Sequence, residues 1–442
     1  METVAASLDA LALADEPVGF CSLPDEVVVM IFARLPLDAR LRAREVSPAW
    51  RALLEDVSLW QRVIFSEAVA KRLADALTLG LARAAIARAK GTLHTLNLFL
   101  VLDIPLAALI ELVTENGESL RSLRTPKTLY LNAADVAHLR QAAPLCKLHC
   151  AVLCTGAEAV ALLRCELVCP SLLQVYNLNT QQQRTDLAAA LATRTGIVAI
   201  ALTGVNLAGG AALEELARAM IAAGVVLPTF VQCGLTPLAL PALTLLLRSN
   251  VSLGFIIDNH GEGEGEGEGE GVPLFTGPDL PAFCDALRSN TKLNQIMLDN
   301  CYLWADPAAA GMVLAALAAR STLFTLTLHH DRVGETQAQQ FTAGTQLTQL
   351  ITVGWLNDLL LKQCSLGEVG LAPIFAALSV ATRLERLDLT GEEMSSAFAR
   401  DAVLPAVRAN TSLRKLAFSN VDGDELLPEL IEAQNIVAAR AA

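Results

Sequence analysis

Aromatic residues are scarce in this chain of 442 residues, at 5%, although hydrophobic residues make up 53%. Burial therefore rests on Ala and Leu, which suits stacked helices and short strands with small packing side chains. Basic charge is also in deficit. With 33 Lys and Arg against 46 Asp and Glu, the formal net charge is −13. That balance argues against nucleic acid or an anionic membrane as a partner. No uncharged apolar run approaches the roughly 18 residues needed to cross a bilayer. The opening METVAASLDALALADEP has no basic stretch ahead of its apolar run, so no secretory leader is expected. The ten cysteines lack the paired spacing of a disulfide scaffold, and reduced thiols in cytoplasm or nucleus are expected. There is no Gly-rich phosphate loop with its Lys, no serine nucleophile elbow and no His-Glu-x-x-His. Nothing recommends a catalytic, cofactor or metal function, and a non-enzyme is expected.

What is present begins at residue 23: LPDEVVVMIFARLPLDARLRAREVSPAWRALLEDVSLWQRVIF. Ser22 and Pro24 signal a helix start. Val28, Ile31, Phe32 and Leu35 follow at spacings of three and four, one stripe of a helix. Pro36 ends it, and Ser47 with Pro48 opens a later segment that carries Trp50, Leu53, Leu54, Leu59 and Trp60. About 45 residues rarely close a stable core unaided. Leftover apolar surface on so small a unit is normally covered by a partner.

This stretch resembles an F-box. The landmarks are Leu23-Pro24-Asp25-Glu26, Ile31, Leu35-Pro36, Val46 four residues before Trp50, and Leu59-Trp60. Ala39-Arg40 and Ser47 depart from the usual pattern. The resemblance implies docking onto a Skp-type adaptor and, through it, a cullin of a ubiquitin ligase. The adaptor contacts so implied are Leu23, Pro24, Glu26, Ile31, Leu35, Val46, Trp50, Leu59 and Trp60.

The rest of the chain repeats. The recurring line is Leu-x-x-Leu-x-Leu-x-x-(Asn/Cys)-x-Leu. Clear copies are Leu293, Ile296, Leu298, Cys301, Leu303; then Leu323, Leu326, Leu328, Asp331, Val333; then Leu356, Leu359, Leu361, Cys364, Leu366. Others start at Ile197, Leu384 and Leu413, with weaker copies near Leu93, Leu120, Leu145, Leu172, Val225 and Leu253. Copies before residue 190 are degenerate and leave their register open. Such a period is the signature of a solenoid. The Leu-x-Leu alternation predicts a short strand, and the Asn/Cys position a turn off it. Ala- and Leu-rich segments such as GLAPIFAALSVATR predict the helices. Arg288-Ser289-Asn290-Thr291, Arg248-Ser249-Asn250-Val251 and Arg408-Ala409-Asn410-Thr411 read as helix ends followed by turns.

Pattern and period together resemble leucine-rich repeats of the ribonuclease-inhibitor type. The implied fold class is α/β: a horseshoe solenoid with a parallel sheet inside and helices outside, preceded by a small all-α F-box. The expected organisation is a disordered N-terminus at 1–18, F-box at 19–65, helical linker at 66–90, repeats at 91–423, and a cap or tail at 424–442. One spacing of 40 residues contains Gly261 to Gly271, GEGEGEGEGEG; removing those eleven restores 29. The insert belongs to a loop and is expected to be a solvated, disordered acidic segment.

Two groups raise the question of metal. Cys146, Cys150, Cys154, Cys165 and Cys169 are spaced too loosely for zinc, and the Leu148, Cys150 phasing favours a strand with buried thiols. His329, His330 and Asp331 end a strand, and the sequence names no further ligand for them. Solvent-facing positions of the concave face are the expected substrate contacts: Gln295, Met297, Asp299, Thr325, Thr327, His329, Arg386, Asp388, Arg414 and Lys415. The resulting expectation is a substrate-recognition subunit of a Skp–cullin–F-box ubiquitin ligase. A repeat scaffold without a role in degradation is the alternative.

Overall fold

The computed structural model describes residues 23–65, 79–101, 104–259, 272–353, 355–419 and 426–441. Ser22, the 1–18 segment, the Gly-Glu insert and Val421 of the last repeat lie outside the described residues. The described residues gather into two compact units. One reaches to Val152 and includes Glu166–Pro170; the other holds Leu153–Cys165 and the chain from Ser171.

The first unit opens with three helices: α1 (Asp25–Arg34), α2 (Leu37–Val46) and α3 (Pro48–Leu53). Leu35, extended at φ −71 and ψ 143, ends α1, because the ring of Pro36 disfavours a helical residue before it. Ser47 caps α3 by accepting the Trp50 N–H at 3.1 Å, with Pro48 at the first helical position. The segment was expected to be wholly helical. Its end instead forms a strand, β1 (Arg62–Ile64), paired in parallel with β2 (Thr95–Asn97). Arg62-Val63-Ile64 has the exposed–buried alternation and β-branched residues of a strand. β3 (Ser122–Arg124) and β5 (Lys147–Thr155) continue the parallel order, with β4 (Tyr130–Leu131) pairing β5 further along. Helices Leu79–Ala87, Leu106–Thr114 and Ala133–Ala142 connect these strands.

In the second unit β7 (Ala199–Thr203) pairs in parallel with the Leu172–Tyr176 part of β6 (Val168–Tyr176), and β8 (Leu227–Val231), β9 (Gly254–Asp258) and β10 (Gln295–Asp299) each pair in parallel with the strand before. β11 (Thr325–His329), β12 (Asp358–Lys362), β13 (Arg386–Thr390) and β14 (Lys415–Ser419) continue the order. A helix follows each strand, and successive helices pack on one another from Gln181–Ala192 through Gly367–Leu378. The clear copies of the repeat line occupy the core as expected: the Leu, Ile, Cys and Val residues of the three copies starting at Leu293, Leu323 and Leu356 are buried. The closing helix Pro428–Ala441 buries Leu430, Ala433 and Val437, and Arg440 donates to the Val407 carbonyl at 2.8 Å.

Two weaker copies sit out of the expected phase. In one, Leu173 and Val175 turn inward, which puts Pro170 at the first position, two residues before Leu172; in the other, Ser252 is buried and Leu253 is not, a slip of one. A slip of one residue moves every side chain to the opposite face. In a third copy Leu145 is 61% exposed and Cys146 is buried beside it, but Leu148 and Cys150 keep the expected phase.

Candidate functional site

The three-helix head turns Val28 and Phe32 inward, and Trp50 meets Phe32 edge-on at 5.2 Å. Ile31 and Leu35 are half-buried. The stripe at helical spacing is thus mostly the head's own core. Apolar residues off the stripe meet solvent: Val27 at 39%, Met30 at 62% and Val46 at 65% exposure. Of the residues named from the sequence, Pro24, Glu26 and Val46 are exposed, whereas Leu23, Ile31, Leu35 and Trp50 are half-buried. The exposed Val27 and Met30 were not singled out from the sequence. Their signal was the unbroken apolar run of VVVMIF, which supplies more apolar residues than one helix face can bury.

Leu59 and Trp60 are core residues of this unit, not surface contacts. Trp60 is 0% exposed. Its indole N–H donates to the Leu54 carbonyl at 2.7 Å, and the guanidinium groups of Arg40 and Arg88 lie 5.6 and 5.3 Å from its ring. Arg40 is buried too, donates to the Leu59 carbonyl, and has its pKa lowered by desolvation. Cation–aromatic packing of this kind is stronger when desolvated. The His94 and Thr95 N–H groups both bond the Gln61 carbonyl, at 2.8 and 3.0 Å. Trp60 therefore belongs to the seam joining the head to the first repeat strand.

The second unit presents one face of its strands in register rows. Gln295, Thr325, Asp358, Arg386 and Lys415 form one row; Met297, Thr327, Leu360, Asp388 and Ala417 form the next. Gln295 and Lys415 are exposed; Met297, Thr325 and Arg386 are half-buried. Arg414 is exposed but precedes β14 rather than lying on it. Thr327, Asp299 and Asp388 are buried, so they form the floor of this face. Asp388 is held by Arg386 at 3.2 Å and Lys362 at 3.9 Å, and accepts from the Thr390 hydroxyl at 2.7 Å.

Side chains just past the strand ends stitch one repeat to the next. Asn259, one residue before the Asn/Cys position, accepts the Leu235 N–H at 2.7 Å and donates back to the Leu235 carbonyl at 3.0 Å. Acids occupy the Asn/Cys position itself at Asp331, which accepts from Leu303, and at Glu392, which accepts from Cys364 and Leu366. Burial pushes both carboxyls up to about 7. Asp331 is thus committed beneath the strand end and turned to a different job from His329 and His330.

Cys146, Cys150 and Cys154 run along β5 and its approach, buried as the strand phasing implied. Burial lifts the Cys146 thiol to about 11 and those of Cys150 and Cys154 to about 12, which suppresses the thiolate a metal needs. Among the described residues no disulfide is present. No described helix is long and apolar enough to cross a membrane.

A search of the curated proteins found no match to this chain. Residues 20–66 match the F-box-like family model, the segment whose helices, exposed apolar residues and Trp60 seam are described above: the chain carries an F-box-like domain at its head.

Proposed function

We propose that this protein is a non-catalytic substrate receptor of a Skp–cullin–F-box ubiquitin ligase. The head docks a Skp-type adaptor, and through it a cullin. The body is read as leucine-rich repeats whose strand-lined face binds a protein substrate. The observation that carries the proposal is the F-box-like domain with Met30 and Val27 left in solvent on α1. Exposed apolar residues on a small helical unit fit coverage by a partner helix or groove. The mechanism is proximity: substrate held near the ligase's catalytic arm reacts at a raised effective concentration. The strand face supports the second half, with Gln295, Met297, Arg386 and Lys415 accessible in ordered rows.

The test is capture from cells by the full chain and by a chain lacking residues 1–65. The adaptor and cullin should be lost with the deletion while a second set of proteins is retained. Those retained proteins should accumulate when the adaptor is depleted. Partners whose levels ignore adaptor depletion would make the chain a scaffold instead.

A further inference from the structure

Asp299 ends β10, His329 ends β11, and the two are register partners. His330 follows in a left-handed conformation at φ 51°. That post is left-handed after several strands, at Asn177, Gly204, Gln232, Asn300, Gln363 and Gly391. In most repeats its N–H extends the ladder: His330 donates to the Lys362 carbonyl and Gln363 to that of Thr390, at 3.0 and 2.9 Å. The reversal brings two consecutive side chains to one side, so the His329 and His330 rings stand with centroids 3.9 Å apart. Both present Nδ1 to one carboxylate. His329 Nδ1 lies 2.8 Å from Asp299 Oδ2, and His330 Nδ1 lies 3.1 Å from Oδ1.

We propose that Asp299, His329 and His330 form a binding site for one divalent transition-metal ion, zinc foremost. Three ligand atoms of the right kind lie within 4.8 Å of one another. Two imidazoles and a carboxylate suit zinc, and three protein ligands leave a position open, as in zinc sites that bind a further molecule. His329 Nε2 lies 3.2 Å from Gln363 Oε1. With an ion on Nδ1, the ring proton on Nε2 would donate to that oxygen, the usual second-shell arrangement around a metal-bound histidine. Asp258, the register partner of Asp299 on β9, adds negative charge beside the site. Both histidines remain partly accessible, so the open position faces the strand-lined surface, where a side chain of a bound protein can complete the shell. The sequence held the two histidines but pointed to Asp331 as their neighbour. The third ligand sits 30 residues back, one strand over. This site is independent of adaptor docking by the head.

The test uses the purified full chain, stripped with chelator and titrated with Co²⁺ and Zn²⁺ alone, followed by calorimetry and the visible d–d bands of cobalt. One equivalent should bind. His330→Asn, which copies the left-handed Asn300, and His329→Thr, which copies Thr390, should each lose roughly 10-fold or more in affinity. Their melting temperatures without metal should match the parent, because the copied residues are those of neighbouring repeats. Absence of stoichiometric uptake would overturn the proposal, as would parental affinity in both variants. A strong thiolate-to-cobalt charge-transfer band would do so too, by placing the ion on cysteine.

Discussion

Asn290 donates from Nδ2 to the carbonyl oxygen of Leu247 at 2.7 Å, joining two helix ends that are 43 residues apart in sequence. Its Oδ1 accepts the N–H groups of Lys292 and Leu293, both at 2.8 Å. Asn410 repeats the arrangement with the carbonyls of Leu378 and Ala381. Arg320 fills the same gap by donating to the carbonyls of Leu287, Asn290 and Leu293. Stacking thus rests on polar stitches as well as on leucine.

Asn290→Ala should destabilise the second unit by about 2–4 kcal/mol, since it strands buried backbone groups. Asn250 looks identical in sequence but is left-handed and bonds Thr291 at the surface. Asn250→Gly should cost less than about 1 kcal/mol. Urea unfolding of the two variants checks the contrast; equal losses would refute the distinction.

Deleting Gly261–Gly271 should leave folding intact. The Asn290–Leu247 stitch and the β9–β10 pairing both span the insert. Loop-closure entropy changes by only about 0.6 kcal/mol per doubling of length. The urea midpoint should stay close to that of the parent, and a large drop would mean that the insert has a structural role.

Glu392 gives the second unit a pH dependence with a definite sign. Burial raises its carboxyl from 4.5 to about 7, against the pull of N–H donors from Cys364 and Leu366. The folded state holds a proton that the unfolded state has released. Its contribution is therefore complete below about pH 4.5 and is lost as pH rises through 7. A shift of this size corresponds to roughly 3 kcal/mol. The urea midpoint should fall between pH 5 and 8, and it should fall less in Glu392→Gln. Identical slopes in the two proteins would contradict this.

Trp60→Ala should unfold the head rather than merely weaken a contact, at a cost of about 3–5 kcal/mol. The loss should appear as faster proteolysis within residues 23–65 and around β2. A stable variant that fails only in adaptor binding would return Trp60 to the docking surface.

Much of this architecture was legible in the chain. Leu-x-Leu alternation located β10, β11 and β12, and Pro36, Ser47 and Pro48 located the breaks between the head's helices. Register failed where Pro170 and Ser252 replaced leucine, since hydropathy alone then favours a nearby leucine, Leu172 or Leu253. The head's exposed apolar residues were only partly readable. The F-box resemblance named Trp60 as an adaptor contact although it is buried, and helical spacing selects the stripe that packs inward, so Val27 and Met30 were passed over. The Asp299–His329–His330 cluster was beyond local pattern, because it depends on strand register and on a left-handed turn at His330.

The central claim is that the head is completed by a Skp-type adaptor. It is tested most directly by titrating purified adaptor into the full chain and into two variants, Val27→Asp with Met30→Asp, and Leu23→Ala with Pro24→Ala. Both alter residues that are exposed or half-buried, so circular dichroism of the repeats should be unchanged. The parent should bind at one to one and both variants should lose at least about 10-fold, or about 1.4 kcal/mol. A parent chain that ignores the adaptor, or variants that bind as the parent does, would contradict the account.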